Sequence, residues 1–271
     1  MFFWRLEKKE NKVFWKVFFQ LIRKDLVIFR KEYFGKIVDM LISFCGWVVV
    51  FGYFVPSMGM ESSYGLFITV GAIASFGIFD IIGQSSVLIS DIQGDRTISY
   101  LLLLPISPSA IFCSIAISWS LQSLMLAIPL YFVGKLLFWQ QFGLNEITWH
   151  QLFLMMLTVN VFFGFFALWI ASVLHKVRDI SRIYFRFLNP LFVFGCYFYT
   201  WQVAFDLSPV IGYLFLMDPF SYVMEISRTA ILGQEGYLPF WLSFGALWIF
   251  IFACGFHAIR RLKYVLDCVG Q

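Results

Sequence analysis

Charged side chains are scarce in this sequence: Asp, Glu, Lys and Arg make up only 13% of its 271 residues. A soluble domain carries about 25% of them. Hydrophobic residues reach 61%, and the mean hydropathy is +0.81 over the whole length. These values exclude a soluble enzyme, a secreted domain and a disordered chain. Because no long hydrophilic stretch is left over for a soluble body, the composition predicts a polytopic membrane protein.

Motifs that carry chemistry are also missing. The five cysteines share no short spacing, which argues against a disulfide framework or a zinc site. There is no G-x-x-x-x-G-K-[ST] phosphate loop, no His-Glu-x-x-His motif and no Gly-x-Ser-x-Gly nucleophile elbow. We therefore expect this chain to carry no catalytic residue, no metal site and no cofactor, and not to hydrolyse ATP itself.

Long apolar runs are present instead. A helix needs about 20 apolar residues to cross about 30 Å of hydrocarbon, and only helices or closed barrels satisfy the backbone there. The sequence predicts six such helices and hence an all-α membrane fold. The predicted spans are Ile37–Val55, Leu66–Ser90, Ile111–Phe138, Leu152–Leu174, Phe187–Phe205 and Phe240–Ile259.

The basic residues predict the orientation of these helices. If the N-terminus is inside, the cytoplasmic segments hold 18 of the 20 Lys and Arg residues, as the positive-inside rule requires. Those segments are 1–36, 91–110, 175–186 and 260–271. We therefore expect both termini in the cytoplasm and the chain in a prokaryotic cytoplasmic (inner) membrane. Basic clusters also occur in nucleic-acid-binding proteins, but their position between apolar runs favours the topological role, and no nucleic-acid partner is expected.

Before the first predicted span, Val13–Phe34 has the pattern of an interfacial amphipathic helix. Basic residues such as Lys16 and Arg23 recur at helical intervals, and aromatic and aliphatic residues fill the other face. The pattern divides the chain into a cytoplasmic tail, 1–36, and a single six-helix membrane domain, 37–271. A charged tail that only sets the topology is the alternative interpretation.

The cytoplasmic loop after the second span has an unusual composition. Acidic and basic residues lead into four consecutive leucines, and the run stops at Pro105. We predict a short amphipathic helix parallel to the membrane, with Asp91 or Asp95 near its positive N-terminal end. An ordinary connector is the alternative. The residues assigned to this segment are Asp91, Gly94, Asp95, Arg96, Thr97, Leu101 and Pro105.

The outer segment Leu207–Leu238 contains too many Pro and Gly residues to cross the membrane, yet it is too apolar for a hydrated loop. Re-entrant half-helices would explain this composition. Asp218 and Pro219 fit the N-cap and first position of a helix, and Glu225 and Arg228 fit an i, i+3 ion pair. The residues assigned to this re-entrant region or gate are Asp218, Pro219, Tyr222, Glu225, Arg228 and Gly233. The aromatic candidates for a gate are Tyr197, Phe198, Tyr199, Trp201, Tyr213 and Phe220.

Asp80 is the one acidic residue clearly within a predicted span. A bare charge at this depth costs at least about 2.5–3.5 kcal/mol on insertion scales, so intramembrane acids are functional candidates. Asp80 could belong to a substrate pathway or a proton relay. A hydrogen-bonded packing position between helices is the alternative.

Three features together resemble the permease subunit of type-2 ATP-binding cassette (ABC) transporters, most of which are exporters. The first is the basic amphipathic helix before six spans. The second is the loop Asp91–Pro105 with its following Ile-Ser-Pro-Ser, which is similar to the family's acidic–Gly–Thr–Leu-Leu–x–Pro-(Ile/Val)-Ser element. The third is Asp218-Pro-Phe-Ser-Tyr through Leu232-Gly233, which is similar to the family's Asn-Pro-x-x-Tyr…Arg…Leu-Gly signature.

The resemblance covers essentially the whole chain, with two departures. Most family members have adjacent Gly and Thr residues in this element, whereas Gly94 and Thr97 are separated here by two residues. Asp218 stands where Asn is commoner, which preserves helix capping and adds a charge.

The resemblance implies a division of labour between subunits. A separate cytoplasmic ATPase subunit, in two copies, would bind ATP and Mg²⁺ and dock against Asp91–Pro105 and the N-terminal helix. A second permease chain, most simply an identical one, would complete the pathway across the lipid membrane. The implied cargo is an amphipathic, lipid, glycan or drug-like molecule.

Three other functions stay open at this point. An ion-coupled secondary transporter or channel would use Asp80 as its coupling acid. An intramembrane enzyme would need a nucleophile or metal cluster that the sequence does not display. A scaffold subunit would tolerate alanine at Asp91, Arg96 and Thr97 without loss of activity.

Overall fold

The computed structural model describes residues 2–59, 63–94, 97–138, 148–174 and 176–269, and these residues form helices and turns without any strand. In chain order the α-helices are α1 (Phe2–Val48), α2 (Val55–Ser57), α3 (Ser63–Gln93), α4 (Thr97–Leu101), α5 (Pro108–Leu137), α6 (Trp149–Val173), α7 (Ile180–Ile183), α8 (Asn189–Phe194), α9 (Trp201–Leu207), α10 (Pro209–Phe215), α11 (Pro219–Leu232) and α12 (Phe240–Val269). Two π-helical turns join α1 to α2 and α7 to α8, and a 3₁₀ turn precedes α7.

Five helical stretches in the described part of the chain are long and apolar enough to cross a membrane. They are Val13–Ser57, Tyr64–Ile92, Pro108–Leu137, Trp149–Val173 and Phe240–Tyr264. Each stretch overlaps one predicted span, namely the first four and the sixth, and the first stretch begins 24 residues before its predicted span. The prediction of an all-α, multi-pass membrane protein is therefore confirmed.

The predicted fifth span, Phe187–Phe205, is wrong as a continuous helix. The helical stretch that includes α7 and α8 ends at Phe194, and residues 195–200 form turns and bends before α9 begins. Cys196 adopts a left-handed conformation with φ of 59°, which ends helical geometry. A Cβ on Gly195 would lie 2.5 Å from the Cβ of Phe220, so the chain turns where it meets α11.

The predicted interfacial helix and the first predicted span are joined, contrary to the expectation of two separate helices. Helical hydrogen bonding continues from Phe2 through α1 and the following π-helical turn to Ser57. The physical reason is local, because the junction at Gly35 carries no proline and no turn. The predicted tail and membrane domain, 1–36 and 37–271, therefore meet inside a helix. That the first part of α1 lies on the membrane surface stays a prediction.

The core forms around α6, which packs against α3, α5, α11 and α12. Three rings of α6 enclose the start of α11. The ring centroid of Phe220 lies 5.8 Å from that of Phe162, 6.2 Å from that of Phe163 and 5.6 Å from that of Phe166. Small residues allow the closest approach between helices, as is usual in membrane bundles. At Gly164 the backbones of α5 and α6 come together.

Replacing Gly164 with alanine is expected to destabilise the fold by about 1–3 kcal/mol, the usual cost of overpacking. The new Cβ would lie 2.5 Å from the carbonyl oxygen of Ala116 and 2.8 Å from the amide nitrogen of Ser120, both of them backbone atoms. The matched control is Gly46→Ala, because a Cβ there meets nothing within 4 Å. Unfolding in mixed micelles titrated with SDS measures both variants, and equal stability of the two would contradict the packing argument.

Candidate functional site

The start of α11 is built as the sequence predicts. The Asp218 carboxylate accepts a hydrogen bond of 2.8 Å from the amide N–H of Phe220, and Pro219 occupies the first helical position. The Tyr222 hydroxyl donates to the carbonyl oxygen of Leu216 at 2.8 Å, which ties the helix to the turn before it. Gly233 ends the helix with φ of +98°, a left-handed conformation that favours glycine.

Glu225 and Arg228 form the predicted ion pair, at 4.0 Å between Oε1 and Nη1, and both side chains are fully buried. The carboxylate of Glu225 also accepts two backbone hydrogen bonds, from Trp201 N–H at 3.0 Å and from Leu238 N–H at 2.9 Å. One carboxylate therefore joins α11 to the start of α9 and to the segment before α12.

The guanidinium of Arg228 binds the irregular segment that interrupts the predicted fifth span. It donates to the carbonyl oxygens of Cys196 and Tyr197, each at 2.6 Å, and to that of Tyr199 at 3.3 Å. It also stacks over the Phe67 ring of α3, 3.5 Å from the ring centroid. We call the Glu225–Arg228 pair and its backbone partners the outer clasp. The clasp pairs both charged groups with backbone groups, although Arg228 Nε has no acceptor among the described residues. Its geometry is that of a structural support.

The clasp also depends on two positions without an obvious sequence signal. Gly71 leaves room for the guanidinium, since a Cβ there would lie 3.2 Å from Arg228 Nη2. The Gln234 amide donates to the carbonyl oxygens of Tyr237 and Leu238, each at 3.1 Å, and its oxygen accepts from Phe240 N–H. Gln234 thereby folds the connection between α11 and α12.

Burial raises the pKa of two acidic groups in this region, which lies outside the five membrane-length helices. It raises the pKa of the Glu225 carboxyl, against the opposing effect of its two backbone donors and of Arg228. It raises the pKa of Asp218 to about 7, with the Phe220 hydrogen bond opposing the shift. The second carboxylate oxygen of Asp218, Oδ2, has no donor among the described residues.

The stability of the fold is expected to fall as the pH rises from about 4 to about 7. An unfolded Asp has a pKa of about 3.9, so in this range the folded chain holds a proton on Asp218 that the unfolded chain has released. Asp218→Asn retains the capping oxygen without a charge, and its stability advantage over the parent should grow by about 1.4 kcal/mol per pH unit over this range and then level off. Thermal unfolding in detergent from pH 4 to pH 8 tests this. Asp206→Asn, at an exposed position in α9, should retain the parent's pH profile.

The aromatic gate candidates divide into buried and exposed residues. Tyr197 and Phe220 are fully buried inside the chain, and Tyr213 is exposed. Trp201 donates its Nε1–H to the carbonyl oxygen of Gly212 at 2.9 Å, joining α9 to α10. Tyr197 and Phe220 therefore pack the core in this conformation, and a gate formed by the six aromatic residues stays a hypothesis.

Asp80 lies near the middle of α3, 17 residues after Ser63 and 13 before Gln93. These separations correspond to about 25 Å and about 20 Å along the helix axis. Its carboxylate pairs with Lys36 of α1 at 3.6 Å and accepts a hydrogen bond from the Gln84 amide one turn away. The sequence prediction missed Lys36 as a partner, because that residue was assigned to the cytoplasmic tail.

A cavity of about 410 Å³ opens beside this ion pair, between α1, α3 and α5. The lining residues are Lys36, Asp39, Met40, Ser43, Trp47, Phe76, Asp80 and Leu126. A second polar pair lies just behind it, where the Ser123 hydroxyl donates to the Asn160 amide oxygen at 2.7 Å. Polar side chains of four long helices therefore meet at one depth of the bundle. We call the cavity beside the Lys36–Asp80 pair the inner cavity.

The segment Asp91–Pro105, where the resemblance implies coupling to an ATPase subunit, contains a short helix, α4, as expected. The Asp91 carboxylate, in the last turn of α3, accepts a hydrogen bond of 2.8 Å from the amide N–H of Ile98 in the first turn of α4. The prediction of an acidic residue at this helix N-terminus is confirmed for Asp91. Gly94 closes α3 with a hydrogen bond from its N–H to the Ser90 carbonyl oxygen.

The remaining residues of this segment differ in exposure. Ile98 is buried, Leu101 at the end of α4 is half-buried, and Pro105 is exposed. Tyr100 and Leu103 are also exposed. Asp95 and Arg96 lie outside the described residues, and Thr97 is described only as the first residue of α4. The segment thus presents an apolar surface next to a helix anchored on α3.

Within the part of the chain that the structure describes, no group of three or more His, Cys, Asp or Glu residues is arranged to hold a metal ion. The fold and composition define a multi-pass, α-helical membrane protein. Comparison with protein-family models and with curated protein sequences gave no match.

Proposed function

We propose that this chain is the transmembrane permease subunit of a type-2 ABC transporter. In this function two permease chains form the pathway, most simply two copies of this chain, and two cytoplasmic ATPase subunits supply ATP and Mg²⁺ chemistry. The expected cargo is an amphipathic molecule of lipid, glycan or drug-like character, exported across a prokaryotic inner membrane. The multi-pass helical fold, the missing phosphate loop and the resemblance described above support this proposal.

The observation that carries the proposal is the anchored helix α4. A coupling element must move as one body with a membrane helix, so that force applied to it from the cytoplasm reaches the bundle. The Asp91–Ile98 hydrogen bond ties α4 to the end of α3, and buried Ile98 adds an apolar contact. Exposed Tyr100 and Leu103 then provide apolar surface for a partner protein.

The outer clasp fits the same mechanism as a support. It joins three segments into one unit: α11, the irregular segment at residues 195–200, and the residues just before α12, which Leu238 connects to Glu225. A rigid outer unit would let a movement of α3 open or close the pathway without unfolding the outer segment. Phe67, beneath Arg228, places α3 in direct contact with that unit.

We call the exposed apolar surface formed by Tyr100 and Leu103 the coupling surface. A charged substitution on this surface tests the proposal. Leu103→Asp is expected to reduce the amount of ATPase subunit that co-purifies with the tagged chain in mild detergent by at least about tenfold, since a buried charge at an interface costs several kcal/mol. Met58→Asp is the matched control, because Met58 is 83% exposed and Leu103 81% exposed, and Met58 lies after α2 at the other predicted side of the membrane. If both variants co-purify with as much ATPase subunit as the parent chain, the coupling surface lies elsewhere. If no Walker-motif ATPase co-purifies with the parent chain, the permease function itself is wrong.

A second candidate function is an ion-coupled transporter that uses Asp80. The observation that favours it is the Lys36–Asp80 pair beside an open cavity at membrane depth, since such pairs mark ion and proton pathways. Gradient-driven transport by the purified chain in liposomes that contain no ATPase would select this function over the first.

A further inference from the structure

The inner cavity carries an unbalanced charge. Lys36 contributes one positive charge, and Asp39 and Asp80 contribute two negative ones. Lys36 and Gln84 already engage the Asp80 carboxylate. Asp39 makes no hydrogen bond or ion pair with the described residues, and its side chain is exposed on α1.

The depth of Asp39 makes this imbalance significant. Asp39 precedes Ser57 by 18 residues, which corresponds to about 27 Å of helix. It therefore lies at about the same distance from the predicted outer side as Asp80. A carboxylate in the hydrocarbon region normally faces water, a cation or a protein partner. The cavity beside Asp39 is large enough, at about 410 Å³, to admit a small organic ligand.

The rest of the lining is apolar and aromatic. Asp39, Ser43 and Trp47 are spaced by four residues, so they share one face of α1. Met40 and Phe76 add apolar surface to the same cavity. A carboxylate at one end and an indole ring beyond it suit an organic cation with an apolar body, because indole rings attract ammonium groups through the cation–π interaction.

The lining also argues against other ligands. An anion would face the excess negative charge. A divalent metal ion would require several free oxygen ligands, whereas only the Asp39 carboxylate is unengaged and the described residues hold no cluster of three metal-binding side chains.

From this geometry we propose that the inner cavity binds an amphipathic organic monocation, with its cationic centre at Asp39 and its apolar body against Met40, Phe76 and Trp47. As an assignment of substrate class, this inference rests on the proposed permease function. The binding site itself does not.

The cavity is also linked to the outer clasp. The Trp47 ring packs edge-on against Tyr197, with 6.0 Å between ring centroids, and the Tyr197 carbonyl oxygen is one of the acceptors for Arg228. A ligand that displaced Trp47 would therefore press directly on the segment that the clasp holds.

Binding of radiolabelled tetraphenylphosphonium to the full chain in nanodiscs, together with any partner that co-purifies, tests the proposal. Saturable binding is expected, with displacement by unlabelled tetraphenylphosphonium and none by triphenylphosphine oxide, a neutral molecule of similar shape. Asp39→Asn should weaken binding by about tenfold or more through loss of the charge pair, and Asp39→Glu should retain most of it. Asp206→Asn removes the same charge at an exposed site in α9 and should bind like the parent.

Two lipid compositions distinguish the source of the cation. If replacing phosphatidylethanolamine with a neutral glycolipid, at a fixed fraction of phosphatidylglycerol, strengthens binding, a lipid amine occupies the cavity, and equal binding identifies a free amphipathic cation as the ligand. Uptake equal to that of empty nanodiscs, displacement by triphenylphosphine oxide, or unchanged affinity in a monodisperse Asp39→Asn variant would overturn the proposal. None of these results depends on co-purification of an ATPase, so failure of the cation site and failure of the permease function are separable.

Discussion

Replacing Arg228 with methionine is expected to lower the free energy of unfolding by at least about 3–5 kcal/mol, the cost of leaving one partner of a buried ion pair alone. Methionine fills much of the volume but donates no hydrogen bond. Glu225 would stay fully buried without its counter-ion, and the carbonyl oxygens of Cys196 and Tyr197 would lose their donors. SDS titration in mixed micelles measures the loss.

The control for this substitution is Arg182→Met, which breaks an ion pair of 3.1 Å with Asp179 at an exposed position. Exposed pairs contribute about 0–1 kcal/mol. If Arg228→Met cost no more than this control, the clasp would not be the support that its geometry indicates.

A double substitution separates the clasp from an ordinary buried ion pair. Apolar replacement of both partners is often neutral when the two charges bind mainly each other. In Glu225→Leu/Arg228→Met, however, the amide N–H groups of Trp201 and Leu238 would lose their acceptor, at about 1–3 kcal/mol for each unsatisfied group. The double variant should therefore be no more stable than Arg228→Met, and recovery to the parent's stability would contradict this account.

Replacing Lys36 with methionine is expected to cost about 2.5–3.5 kcal/mol, the insertion cost of an uncompensated charge in a membrane helix. The substitution leaves Asp80 with Gln84 as its described partner near the middle of α3. Asp80→Asn should cost less, because the flexible Lys36 side chain can extend its ammonium group toward water. The same SDS titration measures both variants.

The double variant Lys36→Met/Asp80→Asn should recover most of the loss, since the pair binds side chains and not the backbone. Lys24→Met is the control, because Lys24 pairs with the neighbouring Asp25 at 3.3 Å on the exposed side of α1. Equal costs for Lys36→Met and Lys24→Met would show that the Lys36–Asp80 pair is not at membrane depth.

The long helices were predictable because each depends on a local apolar run. The capping at Asp218 and the i, i+3 pair of Glu225 and Arg228 were predictable for the same reason, since both follow from spacing within one helix. Asp91 at the N-terminus of α4 likewise followed from charge and the helix dipole.

Features that depend on distant residues were not predictable. The break at residues 195–200 lies in an apolar run and is held by Arg228, about 30 residues further along the chain. Lys36 and Asp80 are 44 positions apart, and the basic residues around Lys36 indicated a cytoplasmic tail. Asp39 gave no signal of its own, because only the packing of α1 on α3 places it beside a cavity.

Native mass spectrometry of the tagged chain, purified in mild detergent from its own cells, tests the central claim most directly. The permease function predicts an assembly that contains two permease chains, most simply two copies of this 31.6 kDa chain, and two Walker-motif ATPase subunits. If no ATPase subunit co-purifies with the chain, and the purified chain transports its substrate in liposomes with an ion gradient as the only energy source, the claim is contradicted. That result would favour the ion-coupled function of Asp80.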